Sequence, residues 1–251
     1  MKNRYSCGDF CSIYKGEDGQ MLKRLILIGV LILFALSPLA AGDVASFVNL
    51  GFSEDSSVFM FGQYGVEDEE ERPYAEIYTV DVHKNSFVEN GVSKKESDDE
   101  VQPGQDGSGA LFNLLHTVAP QVKKYSIDHL KTGRLVYVHV DGDKPKERIE
   151  FRDFYRGDSY VLTLVQRKFG TGRDVSASFH INLAVTSKGE VTRTYTLGIP
   201  DYRREGVLSY RIQEVFFSPA ESGLVVVVEK ELWDDQGKDI RYMVETTSLV
   251  P

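Results

Sequence analysis

Most of the chain after residue 42 alternates between apolar and polar residues, the period of a half-buried β-strand. Residues 178–186 show this most clearly, and a Ser-Lys-Gly turn then leads into a second alternating run at residues 191–197, which predicts a hairpin. The uninterrupted LVVVV at residues 224–228 predicts a central strand buried on both faces. Further alternating runs are found at residues 135–140, 149–155, 160–167 and 208–215.

A similar phrase occurs twice, as GFSEDSSVFMFGQY at residues 51–64 and as FFSPAESGLVVVVE near the end of the chain. In each copy a Phe-Ser pair precedes a turn-forming cluster, a strand, an acidic loop and a second strand. The pattern predicts one antiparallel hairpin used twice, with Phe52 and Phe217 buried at the preceding turns. The expected strand pairs are residues 58–63 with 75–82 and residues 224–229 with 240–246.

One segment has helical spacing. Leu111, Leu114, Leu115 and Val118 form an apolar stripe after Ser108, a suitable N-cap residue, and we expect this stripe to pack on the β core. Pro120 predicts that the helix ends near Ala119, with a second short helix running toward Leu130. Residues 91–109 are polar and glycine-bearing, so the prediction is a loop and helical insertion at about residues 91–130.

The first hairpin resembles the repeat of TolB-type β-propellers, in which a Phe-Ser-x-Asp turn opens a blade hairpin. The second copy departs from it, with Pro219-Ala220 in place of the acidic residue. The predicted fold is therefore mainly β, with propeller-like antiparallel hairpins in a single domain at residues 43–251. About a dozen strands are fewer than four complete blades need, so a β-sandwich or an irregular barrel is the alternative.

Residues 1–42 have the pattern of a secretion leader. Lys23-Arg24 precede an uncharged apolar run at residues 25–36, and small residues place a cleavage site near Ala41 and Gly42. The apolar run is shorter than the ~20 residues that span a bilayer, and an uncleaved leader is the only route to a membrane expected here. Met21 begins a more typical signal peptide, so residues 1–20 are interpreted as an over-extended start. The expected location is periplasmic or secreted.

Charge and cysteine content narrow the classes of function. The formal net charge is −9 for the chain and −11 for residues 43–251, which argues against nucleic-acid binding. Both cysteines, Cys7 and Cys11, lie in the leader, so the exported part has to be stable without disulfides. Hydrophobic residues make up 41% of the chain, which is enough to form a core.

Few residues suggest chemistry. His139 and His180 each lie opposite the apolar face of a predicted strand, and with Asp141 they are the candidates for a metal site. They lack the spacing of a known metal motif, so solvent-facing histidines are the preferred interpretation and no metal is assigned. Asp141-Gly142-Asp143 is interpreted as a turn, and Ser108 as a helix cap rather than a nucleophile. We predict no catalytic residue and no cofactor.

Taken whole, the chain resembles a family of uncharacterised predicted secreted proteins known from spirochaetes. The resemblance rests on the leader and on NLGFSEDSSVFMFGQYG, AEIYTVDV and GIPDYRREGVLSYRIQEVFFSP, and it extends over most of residues 43–250. It implies export and no catalytic residues.

Two functions follow as hypotheses. The first is an exported, non-enzymatic β protein that binds an unknown envelope protein or ligand. The second is an envelope hydrolase with a site assembled from residues distant in sequence. A deep pocket with converging histidines and carboxylates would favour the hydrolase.

Overall fold

The computed structural model describes residues 42–67, 71–98, 100–102, 105–234 and 238–249. The predicted leader, with both cysteines and the cleavage position at Ala41, lies outside the described residues. Residues 41–251 form a compact unit. In the described part of the chain, no helix is both long and apolar enough to cross a membrane.

The described residues are mainly β and contain two short α-helices. The strands are β1 Ser46–Ser53, β2 Val58–Val66, β3 Pro73–Asp81, β4 Ser86–Glu96, β5 Ile127–Asp128, β6 Arg134–Val138, β7 Arg148–Arg152, β8 Ser159–Phe169, β9 Ser176–Ser187, β10 Glu190–Leu197, β11 Arg204–Glu205, β12 Val207–Phe217, β13 Gly223–Trp233 and β14 Lys238–Ser248. The helices are α1 Ser108–Thr117 and α2 Ala119–Lys124, and a 3-10 turn spans Gly172–Asp174.

The strands form three antiparallel sheets. Sheet 1 has the order β4-β3-β2-β1-β5, and sheet 3 has the order β14-β13-β12-β6. Sheet 2 has the order β10-β9-β8-β7, with β11 paired to β9. The hairpin predicted from alternation, β9–β10, is confirmed, and the alternating runs at residues 149–155 and 160–167 form a second hairpin, β7–β8.

Sheet 3 is the middle layer. Leu224, Val226 and Val228 of β13 pack in one core cluster with side chains of sheet 2. Val225 and Val227 point the other way, into a second cluster with Phe and Val side chains of sheet 1. All five are fully buried, so LVVVV is a central strand covered on both faces, as its composition predicted.

The helices cover the other face of sheet 1. Leu111, Leu114 and Val118 are buried in a cluster with side chains of β1, β2 and β3, which confirms that the predicted stripe packs on the β core. The prediction that Ser108 is the N-cap residue of this helix was wrong. The cap position is Gly107, and Ser108 is the first helical residue.

The boundaries of the insertion also differ from the prediction. Residues 91–96 belong to β4, because they continue its ladder with β3 up to the pair of Tyr74 with Glu96. Their polar composition suggested a loop, but β4 is an edge strand, where polar side chains face water. The second helix ends at Lys124 instead of running toward Leu130, because Ser126 adopts a positive φ of 52° and β5 then pairs with β1.

The repeated phrase does form the same hairpin twice. Strand β2 pairs antiparallel with β3, and β13 pairs antiparallel with β14. Phe52 and Phe217, at the ends of β1 and β12, are both 0% exposed. The two copies are therefore three-stranded meanders, β1-β2-β3 and β12-β13-β14, in neighbouring sheets.

The serine after each phenylalanine closes the turn. The hydroxyl oxygen of Ser53 accepts a hydrogen bond from the backbone N–H of Val58 at 2.9 Å. The hydroxyl oxygen of Ser218 accepts the equivalent bond from Gly223 at 3.0 Å. The turns also touch, since the N–H of Ala220 donates to the hydroxyl of Ser56 at 3.1 Å.

Candidate functional site

A polar cleft of about 410 Å³ lies where the apolar part of sheet 3 ends. Its wall is built from two polar cross-strand pairs, Ser209 with Glu231 and Arg211 with Glu229, which the register of β12 and β13 places opposite each other. The loop after β6 contributes Asp141 to the lining. Polar side chains from three distant parts of the sequence thus meet in one depression.

The Arg211–Glu229 ion pair is the most buried charged element of the cleft. The Glu229 side chain is 9% exposed and that of Arg211 is 25% exposed, and the guanidinium Nη2 donates to the carboxylate. Because the pair is largely buried, its charges are less screened than those of a surface pair, and removal of either partner leaves a costly isolated charge. The pair therefore gives the cleft wall a fixed arrangement of charge.

His139 lies behind this ion pair and is only 4% exposed, so the preferred interpretation of a solvent-facing histidine was wrong. Its Nε2 is 3.1 Å from Nη1 of Arg211. Because a guanidinium can only donate, Nε2 is the acceptor, and the ring is assigned as the neutral tautomer with the proton on Nδ1. His139 thereby helps to hold Arg211 in place.

A β-bulge explains why His139 is buried. Along the β6–β12 ladder, Tyr137 faces Val215 and Leu135 faces Phe216, so Val136 is an extra residue. A bulge changes which face the following side chains occupy. The valines expected on the buried face, Val138 and Val140, are consequently 46% and 59% exposed.

The metal-site candidates are not brought together. Asp141 lines the cleft, in a turn closed by the hydrogen bond from the N–H of Asp143 to the carbonyl of Val140, as predicted. His180 is in the middle of β9, opposite Val165 on β8, and does not line this cleft. Among the described residues, no group of three or more His, Cys, Asp and Glu side chains is arranged to hold a metal ion.

Two polar atoms on the cleft wall are buried without a hydrogen-bond partner in the part of the chain that the structure describes. They are Nε of Arg211, a donor, and Oε1 of Gln213, an acceptor. Both residues lie on β12, and Gln213 is the extra residue of a second bulge, between Ile212 and Glu214. Buried polar atoms are nearly always satisfied, so this donor and acceptor need an explanation.

The cleft favours positive charge over negative. Asp141, Glu229 and Glu231 contribute three carboxylates, against the single guanidinium of Arg211. Asp141 forms no ion pair with any described residue. Burial, together with the nearby charge of Glu229, raises the pKa of Tyr242 to about 12, so this phenol stays protonated and neutral.

The sequence contained a signal for this site that motif searching missed. Ser209, Arg211 and Gln213 occupy alternate positions in β12, and Glu229 and Glu231 do so in β13. Alternation along a strand places each set on one face of that strand. Which residue of one strand lies opposite which residue of the other depends on the register of their pairing, and the sequence pattern does not specify that register.

The described residues form a β scaffold of three layered sheets with a polar, solvent-open cleft. The chain matches the family described as predicted secreted protein (DUF2259) over residues 60–248, so it belongs to that family. The periplasmic or secreted location expected from the sequence is confirmed by that description. Neither a curated protein nor a solved structure matches the chain. The likeness to TolB-type propeller repeats stays a prediction.

Proposed function

We propose that this protein is a non-enzymatic binding protein of the exported compartment, and that the cleft beside Arg211 and Glu229 is its ligand site. The carrying observation is a cleft wall that holds an unpaired carboxylate, Asp141, together with two buried atoms that have no hydrogen-bond partner among the described residues, Arg211 Nε and Gln213 Oε1. Both atoms are covered in this structure, and a ligand that supplies one acceptor and one donor would satisfy them once the side chains over them move aside.

The charge of the cleft narrows the chemical class of the ligand. The carboxylate of Asp141 and the amide oxygen of Gln213 suit an ammonium group, while Nε of Arg211 suits a carbonyl oxygen. An ammonium group beside a carbonyl is the chemistry of an amino-acid amide or of a peptide N-terminus. We infer a ligand of that class.

The polar contacts support binding over the hydrolase alternative. A hydrolytic site of the usual kind needs a nucleophile next to a free base. The acceptor nitrogen of His139 is occupied by Arg211, so this histidine is not free to act as a base. The hydroxyl of Ser209 donates at 2.9 Å to the carboxylate of Glu231, which is a much weaker base than a histidine. Ser108, the other serine considered, is at the start of α1 and its hydroxyl donates to Asp106.

Export by a cleaved leader is part of the same proposal. The family description supports secretion, and residues 1–42 have the charge and apolar pattern of a signal peptide. We expect the mature chain to begin within a few residues of Gly42. N-terminal sequencing of protein from the native envelope tests this, and an intact apolar run at residues 25–36 in membrane pellets would contradict it.

The ligand class is tested by titrating residues 41–251 with amino-acid amides and with their N-acetylated forms. The backbone amide signals of Arg211 and Gln213 are expected to shift saturably with the free amines and to stay unmoved with the acetylated compounds. Gln213→Leu removes the acceptor and is expected to abolish the response. Gln102→Leu is the matched control, because Gln102 is exposed and does not line the cleft.

Two outcomes would overturn the proposal. One is an equal response to the free and acetylated compounds, which would remove the role of the ammonium group. The other is turnover of ester or peptide substrates that disappears in Ser209→Ala while the fold is retained, which would establish the hydrolase.

A further inference from the structure

Three large apolar side chains protrude at the end of the molecule that carries the turns after β5 and β7. Leu130 is 91% exposed, Phe154 is 85% exposed and Tyr155 is 84% exposed. Single exposed apolar residues are ordinary on protein surfaces, whereas a group of them at one end points to a contact with another apolar phase.

These side chains belong to one surface, which we call the aromatic tip: Leu130, Lys131, Arg134, Arg152, Phe154, Tyr155 and Arg156. Leu130, Arg134 and Tyr155 line the same open depression of about 430 Å³. Phe154 is the chain neighbour of Tyr155, in the turn that joins β7 to β8. The tip therefore combines two loops that are distant in sequence.

Hydrogen bonds to the buried residue Asp153 hold the turn that carries the two aromatic residues. Asp153 is 2% exposed, and its carboxylate accepts from Arg134 at 3.2 Å and from the N–H of Tyr155 at 3.0 Å. The N–H of Gly157 donates to the carbonyl of Asp153 at 2.8 Å. The protrusion of Phe154 and Tyr155 is thus set by a buried carboxylate, and does not depend on a loose loop.

Each apolar side chain has a cation beside it. The guanidinium of Arg152 is 5.8 Å from the ring centre of Phe154, and that of Arg134 is 5.0 Å from the ring centre of Tyr155. Lys131 follows Leu130 directly. Lys131 and Arg152 form no ion pair with any residue that the structure describes, so their charges are available to an outside group.

We infer that the aromatic tip docks on the surface of a lipid bilayer. Aromatic and leucine side chains reach the boundary between headgroups and acyl chains, while neighbouring Lys and Arg contact lipid phosphates. Three protruding apolar side chains with two unpaired cations among them, Lys131 and Arg152, fit a deformable phase of this kind better than a flat protein partner. Arg134, in contrast, is neutralised by Asp153 and Glu221. Docking by the folded domain goes beyond the expectation that only an uncleaved leader reaches a membrane.

Flotation of residues 41–251 with lipid vesicles tests the inference. Vesicles of phosphatidylcholine, alone and mixed with phosphatidylglycerol, are expected to carry the protein upward, more strongly when phosphatidylglycerol is present. The double variant Phe154→Ser with Tyr155→Ser is expected to lower the partition coefficient about tenfold or more. Phe112→Ser is the matched control, because Phe112 is a 68% exposed phenylalanine on α1, and its partition is expected to be unchanged.

A second variant separates charge from apolar contact. Lys131→Glu with Arg152→Glu is expected to weaken flotation with phosphatidylglycerol more than with phosphatidylcholine alone, and the difference is expected to shrink at high salt. Failure of the unaltered protein to float, or equal loss in the Phe112→Ser control, would overturn the inference. Recovery of a protein complex through Phe154 and Tyr155 without flotation would instead assign the tip to a protein partner.

Discussion

The two Phe-Ser turns share one backbone conformation, which we call the frame. They differ in the side chain of the third residue after the phenylalanine. In the first, Asp55 accepts from the hydroxyl of Ser53 at 2.6 Å and from the N–H of Ser57 at 3.0 Å. In the second, Ala220 occupies that position and has no such group. The shared frame therefore depends on the buried phenylalanine and the serine hydroxyl, and the aspartate is an addition to one copy.

In both copies, the same backbone hydrogen bond also joins the turn to the residue that follows the third strand of the meander. The N–H of Val82 donates to the carbonyl of Ser57 at 2.9 Å, and the N–H of Leu249 donates to the carbonyl of Ser222 at 2.8 Å. Ser56 and Glu221 both adopt a positive φ, 63° and 54°. The turns are equivalent in backbone geometry although their sequences share only the Phe-Ser pair and a later serine.

The largest effect is expected from the phenylalanines. Phe52→Ala and Phe217→Ala should each lower the free energy of unfolding by about 3–5 kcal/mol, because each side chain is fully buried and leaves a cavity. Urea unfolding of both variants measures this. Phe112→Ala, at an exposed position, should change the value by no more than about 0.5 kcal/mol. A large loss for one phenylalanine and a small loss for the other would break the equivalence of the two turns.

The serine hydroxyls are expected to matter next. Ser53→Ala and Ser218→Ala should each cost about 1–3 kcal/mol, because the N–H of Val58 or Gly223 then loses its acceptor inside a buried turn. The same unfolding measurement applies, together with hydrogen exchange at these two amides, which should become faster. Ser86→Ala, an exposed serine of β4, is the control. Unchanged exchange at either amide would contradict the proposed role.

Acid should affect the first turn more than the second. Hydrogen bonds from Ser53 and Ser57 lower the pKa of Asp55 to about 2. Because the folded-state pKa is below the ordinary value of 3.8, this contribution is present above about pH 4 and is lost as the pH falls toward about 2. Asp55 is exposed, so the contribution is at most about 1 kcal/mol after solvent screening.

Comparison of the unaltered protein with Asp55→Asn isolates this acid effect. The difference in their free energies of unfolding should shrink as the pH is lowered through that range, because a protonated aspartate resembles the amide. A difference that stays constant with pH would show that Asp55 is not held as a carboxylate by the turn.

The smallest effect is expected from transferring the aspartate. Ala220→Asp places a carboxylate where it can accept from Ser218 and Ser222, and it should raise the free energy of unfolding by about 0.5 kcal/mol at neutral pH. The gain should disappear in acid, as for Asp55. A loss of stability would mean that the neighbouring carboxylate of Glu221 outweighs the new hydrogen bonds, and that the two frames differ more than their backbones indicate.

Local pattern predicted much of the fold and little of the site. Phe179, Ile181, Leu183 and Val185 are all buried, as their alternation indicated, because one side chain in two must face the core wherever a strand is regular. The prediction failed at His139, because the bulge at Val136 interrupts the alternation. A bulge leaves no local signal in the sequence. It is recognised only from the pairing of the two strands in the structure.

The sequence by itself determined the regularly alternating strands, the repeated turn and the burial of LVVVV on both faces, because these depend on neighbours within a few residues. Only the tertiary structure decided which sheet lies in the middle and which polar groups meet in the cleft. Arg211 and Glu229 are 18 residues apart and face each other through the register of β12 and β13. His139, 72 residues before Arg211, reaches the pair through β6. Such contacts depend on long-range pairing, which local composition does not specify.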